Sequence, residues 1–243
     1  MVDIHCHILY GLDDGSVSAE ESVEMALLAN KGGTEKIIVT PHSNVTGSWQ
    51  NLWNPEFEKM IDLLNDKMKQ VGCKLTFYPG QEIFCGENFL KLLSEGKLVT
   101  LNHSVYPLVE FDFYEHSASV YHKLEKLIAE GYTPVVAHPE RYAFFCEDHD
   151  AAIRLRNMGC LLQLNKGSIQ GSFGRSAYDA AKRMLDRSYA DFVASDAHSP
   201  YRRTPYLGEA FEFVAENYSF DYAELLFNKN AQCVIDNKEI VSF

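Results

Sequence analysis

Seven short runs of apolar, largely β-branched residues recur along the chain, and most are followed by a segment whose apolar residues repeat with helical period. Strands separated by single helices are joined by right-handed parallel crossovers, because that hand packs the helix back onto its sheet. The runs fall at residues 2–6, 36–40, 75–78, 108–111, 133–137, 160–164 and 192–195. After the first, Ser18 and Glu21 form a capping box ahead of a stripe of Val23, Ala26 and Leu27. Pro55 behind Asn54 opens the next helix, with Phe57, Met60, Ile61 and Leu64 on one face. Further stripes begin at Val120, Ala152, Ala177 and Leu207, and from Phe220 the tail has room for one short helix and a closing segment. Seven such units predict an α/β fold, a distorted TIM-like (β/α)7 barrel of parallel strands, in preference to the open sheet that also satisfies the alternation. With no repeat, linker or low-complexity tract, residues 1–243 are expected to form one domain.

In such a barrel all strand C-termini lie on one face, and it is there that ionisable residues collect. His5 and His7 end the first run, and Gly11 and Gly15 flank Asp13–Asp14 in the turn behind them. Imidazoles at i and i+2 of a strand point the same way, and a glycine-flanked turn can bring a carboxylate back to them. His42 follows the second run, Glu82 the third, and Glu110 sits in the fourth between Val109 and Phe111. His138, Glu140 and Arg141 follow the fifth, Asn165 the sixth, Asp196 and His198 the seventh. One strand-end histidine is usually an ordinary half-buried side chain, and Glu140 and Asp13 read equally well as exposed. Glu110 is harder to dismiss, because a carboxylate in an apolar strand needs a cation or hydrogen bonds to stay charged. The other histidines, His103, His116, His122 and His149, read as surface residues.

Taken jointly, nine candidate ligands of mixed nitrogen and oxygen character exceed what one zinc requires. They suit two or three divalent ions sharing a carboxylate, an arrangement used in phosphoester hydrolysis, with manganese, iron or zinc all chemically acceptable. Arg141 and Arg203 are then placed to grip phosphate oxygens with a planar fork; without the metals, a rim salt bridge with a surface acid reads equally well for both. Trp49 and Trp53, read as exposed in the long loop after His42, either shape substrate access or anchor the loop.

The bulk numbers narrow the classes further. A formal charge of −12 argues against a groove that tracks nucleic-acid phosphates. Six cysteines with no CxxC pair read as reduced thiols. The absence of a long apolar run, and of a basic n-region with an apolar core at the start, leads to an expected cytoplasmic location.

The HxH opening, TPH at 40–42, GQE at 80–82, HPER at 138–141 and DAH at 196–198 resemble the polymerase-and-histidinol-phosphatase (PHP) superfamily. The opening DIHCHILYGLDDG, the HPERY segment and the length resemble, more narrowly, the manganese-dependent protein-tyrosine phosphatases encoded with capsular and exopolysaccharide genes in Gram-positive bacteria. This resemblance implies three metals, most readily Mn2+: one on His5, His7, Glu82 and Asp196, a second on Glu82, Glu110 and His138, a third on Asp14, His42 and His198. It implies that Arg141 and Arg203 bind phosphate and that a metal-bridging hydroxide attacks it, with no dedicated general acid for a phenolate leaving group. It leaves Asp14 over Asp13, and Arg203 over Arg202, to be decided. The implied partner is a phosphotyrosine-bearing protein, a cognate bacterial tyrosine autokinase that controls polysaccharide export.

Rival functions differ in their sequence requirements. A cysteine-based phosphatase needs an arginine six residues after its nucleophile, and none of the six cysteines has one. A histidinol phosphatase would share the metal chemistry, and the DDG and HPERY motifs favour the tyrosine phosphatase over it. A non-catalytic phosphotyrosine-binding regulator would be marked by a lost ligand, and every ligand position carries an acceptable residue.

Overall fold

The computed structural model describes residues 1–241, so the last two residues of the expected 1–243 domain lie outside it. Its strands are β1 (Val2–Cys6), β2 (Lys36–Val39), β3 (His42–Ser43), β4 (Thr76–Tyr78), β5 (Glu82–Phe84), β6 (Leu108–Glu110), β7 (Val135–Ala137), β8 (Leu161–Asn165) and β9 (Phe192–Ala194). All pairings are parallel, in the orders β1-β2-β4 and β3-β5-β6-β7-β8-β9.

Nine ladder segments make seven staves. The second and third staves are each broken in two, at Pro41 and at Pro79–Gly80, where a proline has no N–H to give the ladder. The sequence predicts these staves to end at residues 40 and 78; both resume at His42 and Glu82, two of the candidate ligands. Gly80 is obligatory at the second break, since a Cβ there would lie 2.6 Å from Ile38 Cγ2.

The ring closes where β9 returns to β1. Cys6 pairs with Ala197, the His7 N–H donates to Ala197 O (2.9 Å), and the Asp196 N–H donates to His5 O (2.8 Å). Buried Asp3 fastens the same seam, Oδ1 accepting from Ser195 N–H (3.0 Å) and His5 N–H (3.3 Å).

Inside the ring, Val2, Ile4, Ile38, Leu108, Val135, Ala137, Phe192 and Ala194 form one apolar cluster with Ala231 and Val234 of the tail. The tail is more helical than its pattern suggests, running through Phe220–Glu224, Leu225–Lys229 and Asn230–Ile235. Packing of Leu226, Phe227, Ala231 and Val234 supplies the stabilisation that short helices lack in isolation. Outside the ring, α1 (Ala19–Lys31) and α2 (Pro55–Gln70) bury Met25, Ala26, Ala29, Phe57, Ile61 and Leu64 in a second cluster. Ser18 caps α1 by accepting from Glu21 N–H, while the Glu21 carboxylate reaches back to Val17 N–H, one residue earlier than a capping box expects.

Candidate metal centre

At the C-terminal end of the ring, a β-bulge in β1 sets the geometry. Its register with β2 shifts between Asp3 and Cys6, which turns Cys6 outward against the cluster under α1 and α2. His5 and His7 thereby face the same space, with their Nε2 atoms 3.1 Å apart. Each ring is held from behind. His5 Nδ1–H donates to Gln163 Oε1 (2.8 Å), and His7 Nδ1–H donates to Asp13 Oδ2 (2.7 Å). A partner on Nδ1 fixes the tautomer and leaves Nε2 free to ligate.

Asp13 and Asp14 divide two roles between them. Asp13 is buried, contrary to the exposed reading, because its carboxylate also accepts from His42 N–H (2.8 Å) and Gly15 N–H (2.9 Å). Half-exposed Asp14 instead places Oδ1 3.6 Å from His42 Nε2 and 3.5 Å from His198 Nε2. Gly15 makes this turn possible, since a Cβ there would sit 2.2 Å from His7 O.

Glu82 stands at the middle. Its Oε1 lies 2.9 Å from His138 Nε2 and 3.3 Å from His5 Nε2, while Oε2 lies 2.8 Å from His42 Nδ1 and 3.4 Å from His7 Nε2. Glu110 reaches His42 Nδ1 (3.4 Å) and His138 Nε2 (3.5 Å) from the next stave. Asp196 Oδ1 is 3.6 Å from His5 Nε2 and 3.5 Å from His7 Nε2; its other oxygen meets Arg141 (3.3 Å), Arg203 (2.5 Å) and the Asn165 amide. His138, Asp196 and Arg203 all hold positive φ, a backbone cost that clusters at functional sites.

Nine residues, His5, His7, Asp14, His42, Glu82, Glu110, His138, Asp196 and His198, thus fall into overlapping groups whose potential ligand atoms lie within 4.8 Å of one another. Among them His198 Nε2 is buried and makes no hydrogen bond, and the His42 Nδ1 and Glu82 Oε2 pair, 2.8 Å apart, is aligned for none. Buried polar atoms left this way are costly unless something else satisfies them, and a divalent cation suits a mixed imidazole and carboxylate set.

The electrostatics fit the same use. Burial opposes charge on Glu82, but His5 and His42 outweigh it and hold the carboxyl well below its usual range. Asp196 is likewise held low against burial, by His5, His7 and Arg203. Burial and His7 lower His198, keeping a lone pair available. At His42 burial is overridden by the Glu82 carboxylate, and the pKa rises to about 10.

The remaining predicted residues sort by position. Arg141 and Arg203 both reach the cluster through Asp196, whereas Arg202 is exposed. Glu140 is fully buried rather than exposed, because Oε1 accepts from Asn165 N–H (3.1 Å) and Ser168 Oγ–H (2.6 Å). Trp49 and Trp53 are half-buried rather than exposed. Trp49 stacks on His42 at 5.3 Å and 11°, and Trp53 packs on Phe57, 5.1 Å away, at the head of α2. His103, His116, His122 and His149 are all exposed. Gln163 escaped sequence reasoning; its signal was a polar residue in the apolar run 160–164, two before Asn165.

A family model described as "Capsular polysaccharide synthesis, CpsB/CapC" matches residues 1–236. Tyrosine-protein phosphatase YwqE of Bacillus subtilis (strain 168) is 33% identical over 241 residues, covering 99% of this chain and 93% of that protein. Tyrosine-protein phosphatase CpsB of Streptococcus pneumoniae is 30% identical over 243 residues, covering 97% of this chain and 98% of its own length. A solved structure described as YwqE from Bacillus subtilis and CpsB from Streptococcus pneumoniae, "unique metal-dependent tyrosine phosphatases", matches with a TM-score of 0.92 at 31% identity, over 100% of this chain and 97% of that one. A TatD family hydrolase from Entamoeba histolytica shares the fold alone, with a TM-score of 0.57 at 11% identity over 97% of each chain.

Proposed function

The chain belongs to the CpsB/CapC family of capsular polysaccharide synthesis, and on that premise we propose that it is a metal-dependent protein-tyrosine phosphatase. The observation that carries this reading is one cluster: nine mixed nitrogen and oxygen ligands with two arginines joined to them through Asp196. His5, His7, Glu82 and Asp196 would hold one ion, Glu82, Glu110 and His138 a second, and Asp14, His42 and His198 a third. The absence of thiolates favours the harder ions among manganese, iron and zinc, and we assign Mn2+ because the chain resembles the manganese-dependent tyrosine phosphatases. When bound, such ions supply an activated water for attack on phosphorus and offset the charge of the phosphate oxygens.

The chain's own residues do the rest. Asp13 and Gln163 fix the His7 and His5 tautomers so that both Nε2 atoms face inward. Arg141 and Arg203 bind phosphate oxygens and stabilise the charge that develops there during transfer. A tyrosine phenolate leaves without strong assistance, so no proton donor is needed beside it. Cysteine nucleophiles have no part in this reading. Burial pushes the Cys6 thiol far up and Cys160 to about 12, and a thiol held protonated is a poor nucleophile.

The substrate in this reading is a phosphotyrosine on a cognate tyrosine autokinase, met in the cytoplasm. Among the described residues no helix is long and apolar enough to cross a membrane. The test is phosphate release by metal-stripped protein titrated with Mn2+, offered a phosphotyrosyl peptide, a phosphoseryl peptide and histidinol phosphate. Mn2+-dependent release from the tyrosyl peptide is expected. Release from histidinol phosphate alone would replace the proposed substrate with a small phosphomonoester.

A further inference from the structure

Arg141 lies against two aromatic rings that no ligand assignment uses. Its guanidinium carbon lies 4.6 Å from the centroid of Phe113 and 4.4 Å from that of Phe173. The same Phe173 ring lies 5.7 Å from the guanidinium carbon of Arg203. We propose that Phe173 is a positioning residue that holds Arg141 and Arg203 side by side so that both grip a single phosphate group; this rests on the phosphatase reading above.

Two guanidinium forks side by side repel each other, and their shared anchor, Asp196 Oδ2, can accept from only a few of their N–H groups. An aromatic face attracts the cation and fixes the plane of the fork without consuming a donor. The donors therefore stay free for an incoming anion.

The backbone is built to deliver this ring. Residues 170–174 fold back after the short helix Lys166–Ile169, with Ser172 N–H donating to Gly167 O (2.8 Å). Gly171 and Gly174 hold φ of 76° and 89°, which lets the loop reverse. Gly167 leaves the space that the ring occupies, since a Cβ there would sit 2.5 Å from Phe173 Cε2. Phe113, the other ring against Arg141, comes from the turn after β6, so the two rings arrive from different staves.

The test compares wild type, Phe173→Leu, and protein with a fluorinated phenylalanine at position 173, which keeps the ring's shape and weakens its negative face. Binding of inorganic phosphate to Mn2+-loaded protein is measured by calorimetry, alongside the Mn2+ titration midpoint and kcat/KM on a phosphotyrosyl peptide. Phe173→Leu is expected to weaken phosphate binding and lower kcat/KM by about five- to tenfold. The fluorinated ring should produce a loss in the same direction, and the Mn2+ midpoint should stay put in both. Phosphate affinity that is unchanged with the fluorinated ring, or that falls only together with Mn2+ affinity, would overturn the proposal. If wild type releases no phosphate from the peptide, the phosphatase reading fails instead, and the phosphate titration still decides the role of Phe173.

Discussion

At the scale of single residues, neighbours of one chemical type are set apart by what lies behind them. Asp13 and Asp14 are adjacent carboxylates, yet one is buried under three donors and the other is half exposed between two imidazoles. Asp13→Asn should lower Mn2+ affinity by about 10–100-fold, the usual cost of losing the partner behind a ligating histidine. Titration of metal-stripped protein would show this, and wild-type affinity would refute the assignment. The same contrast separates Arg203 from exposed Arg202. Arg203→Ala is expected to cost about 10²–10³-fold in kcat/KM on a phosphotyrosyl peptide, and Arg202→Ala no more than about twofold. The sequence supplies both candidates in each pair, and only the family resemblance points to Asp14 and Arg203. The choice depends on the turn at Gly15 and on the positive φ at Arg203, neither of which a residue type alone reveals.

At the scale of elements, breaks and turns do more for the site than regular structure does. The prolines that interrupt the second and third staves put His42 and Glu82 at the start of a resumed strand, paired with each other in register. The apolar runs stop at those breaks, so pattern alone ends the staves early. Gly15→Ala would drive a methyl group into His7 O and displace the turn that carries both aspartates. We expect it to weaken Mn2+ binding by at least tenfold (about 1.4 kcal/mol) and to lower the melting temperature; a variant that binds Mn2+ like wild type would show that the turn tolerates a side chain. Ser18→Ala, by contrast, removes only the α1 cap. It should cost about 1 kcal/mol in chemical denaturation and leave Mn2+ binding unchanged.

At the scale of the whole molecule, the site is a concentration of buried charge that the barrel must hold together. Without metal, His42 has a folded pKa of about 10 against an ordinary value of 6.5. A raised pKa stabilises below the unfolded value and loses that contribution as pH climbs through the folded one. Glu82 and Asp196, held low, contribute above the ordinary carboxylate range and lose that contribution only in acid. Chelated protein should therefore unfold at lower urea near about pH 9 than near about pH 6, while Mn2+, which needs deprotonated ligands, protects more at the higher pH. Equal midpoints for chelated protein at both pH values would contradict this account. The sequence by itself determined the seven-unit α/β alternation and the face on which candidate ligands gather, because side-chain period and strand-end placement are local properties of the chain; it favoured a closed barrel, and the contacts between β9 and β1 decided it. The tertiary structure alone decided which carboxylates are buried and which oxygen faces which ring. It also placed Gln163 behind His5, and Phe113 and Phe173 against Arg141. Those contacts join residues dozens of positions apart, and only closing the barrel brings them within reach.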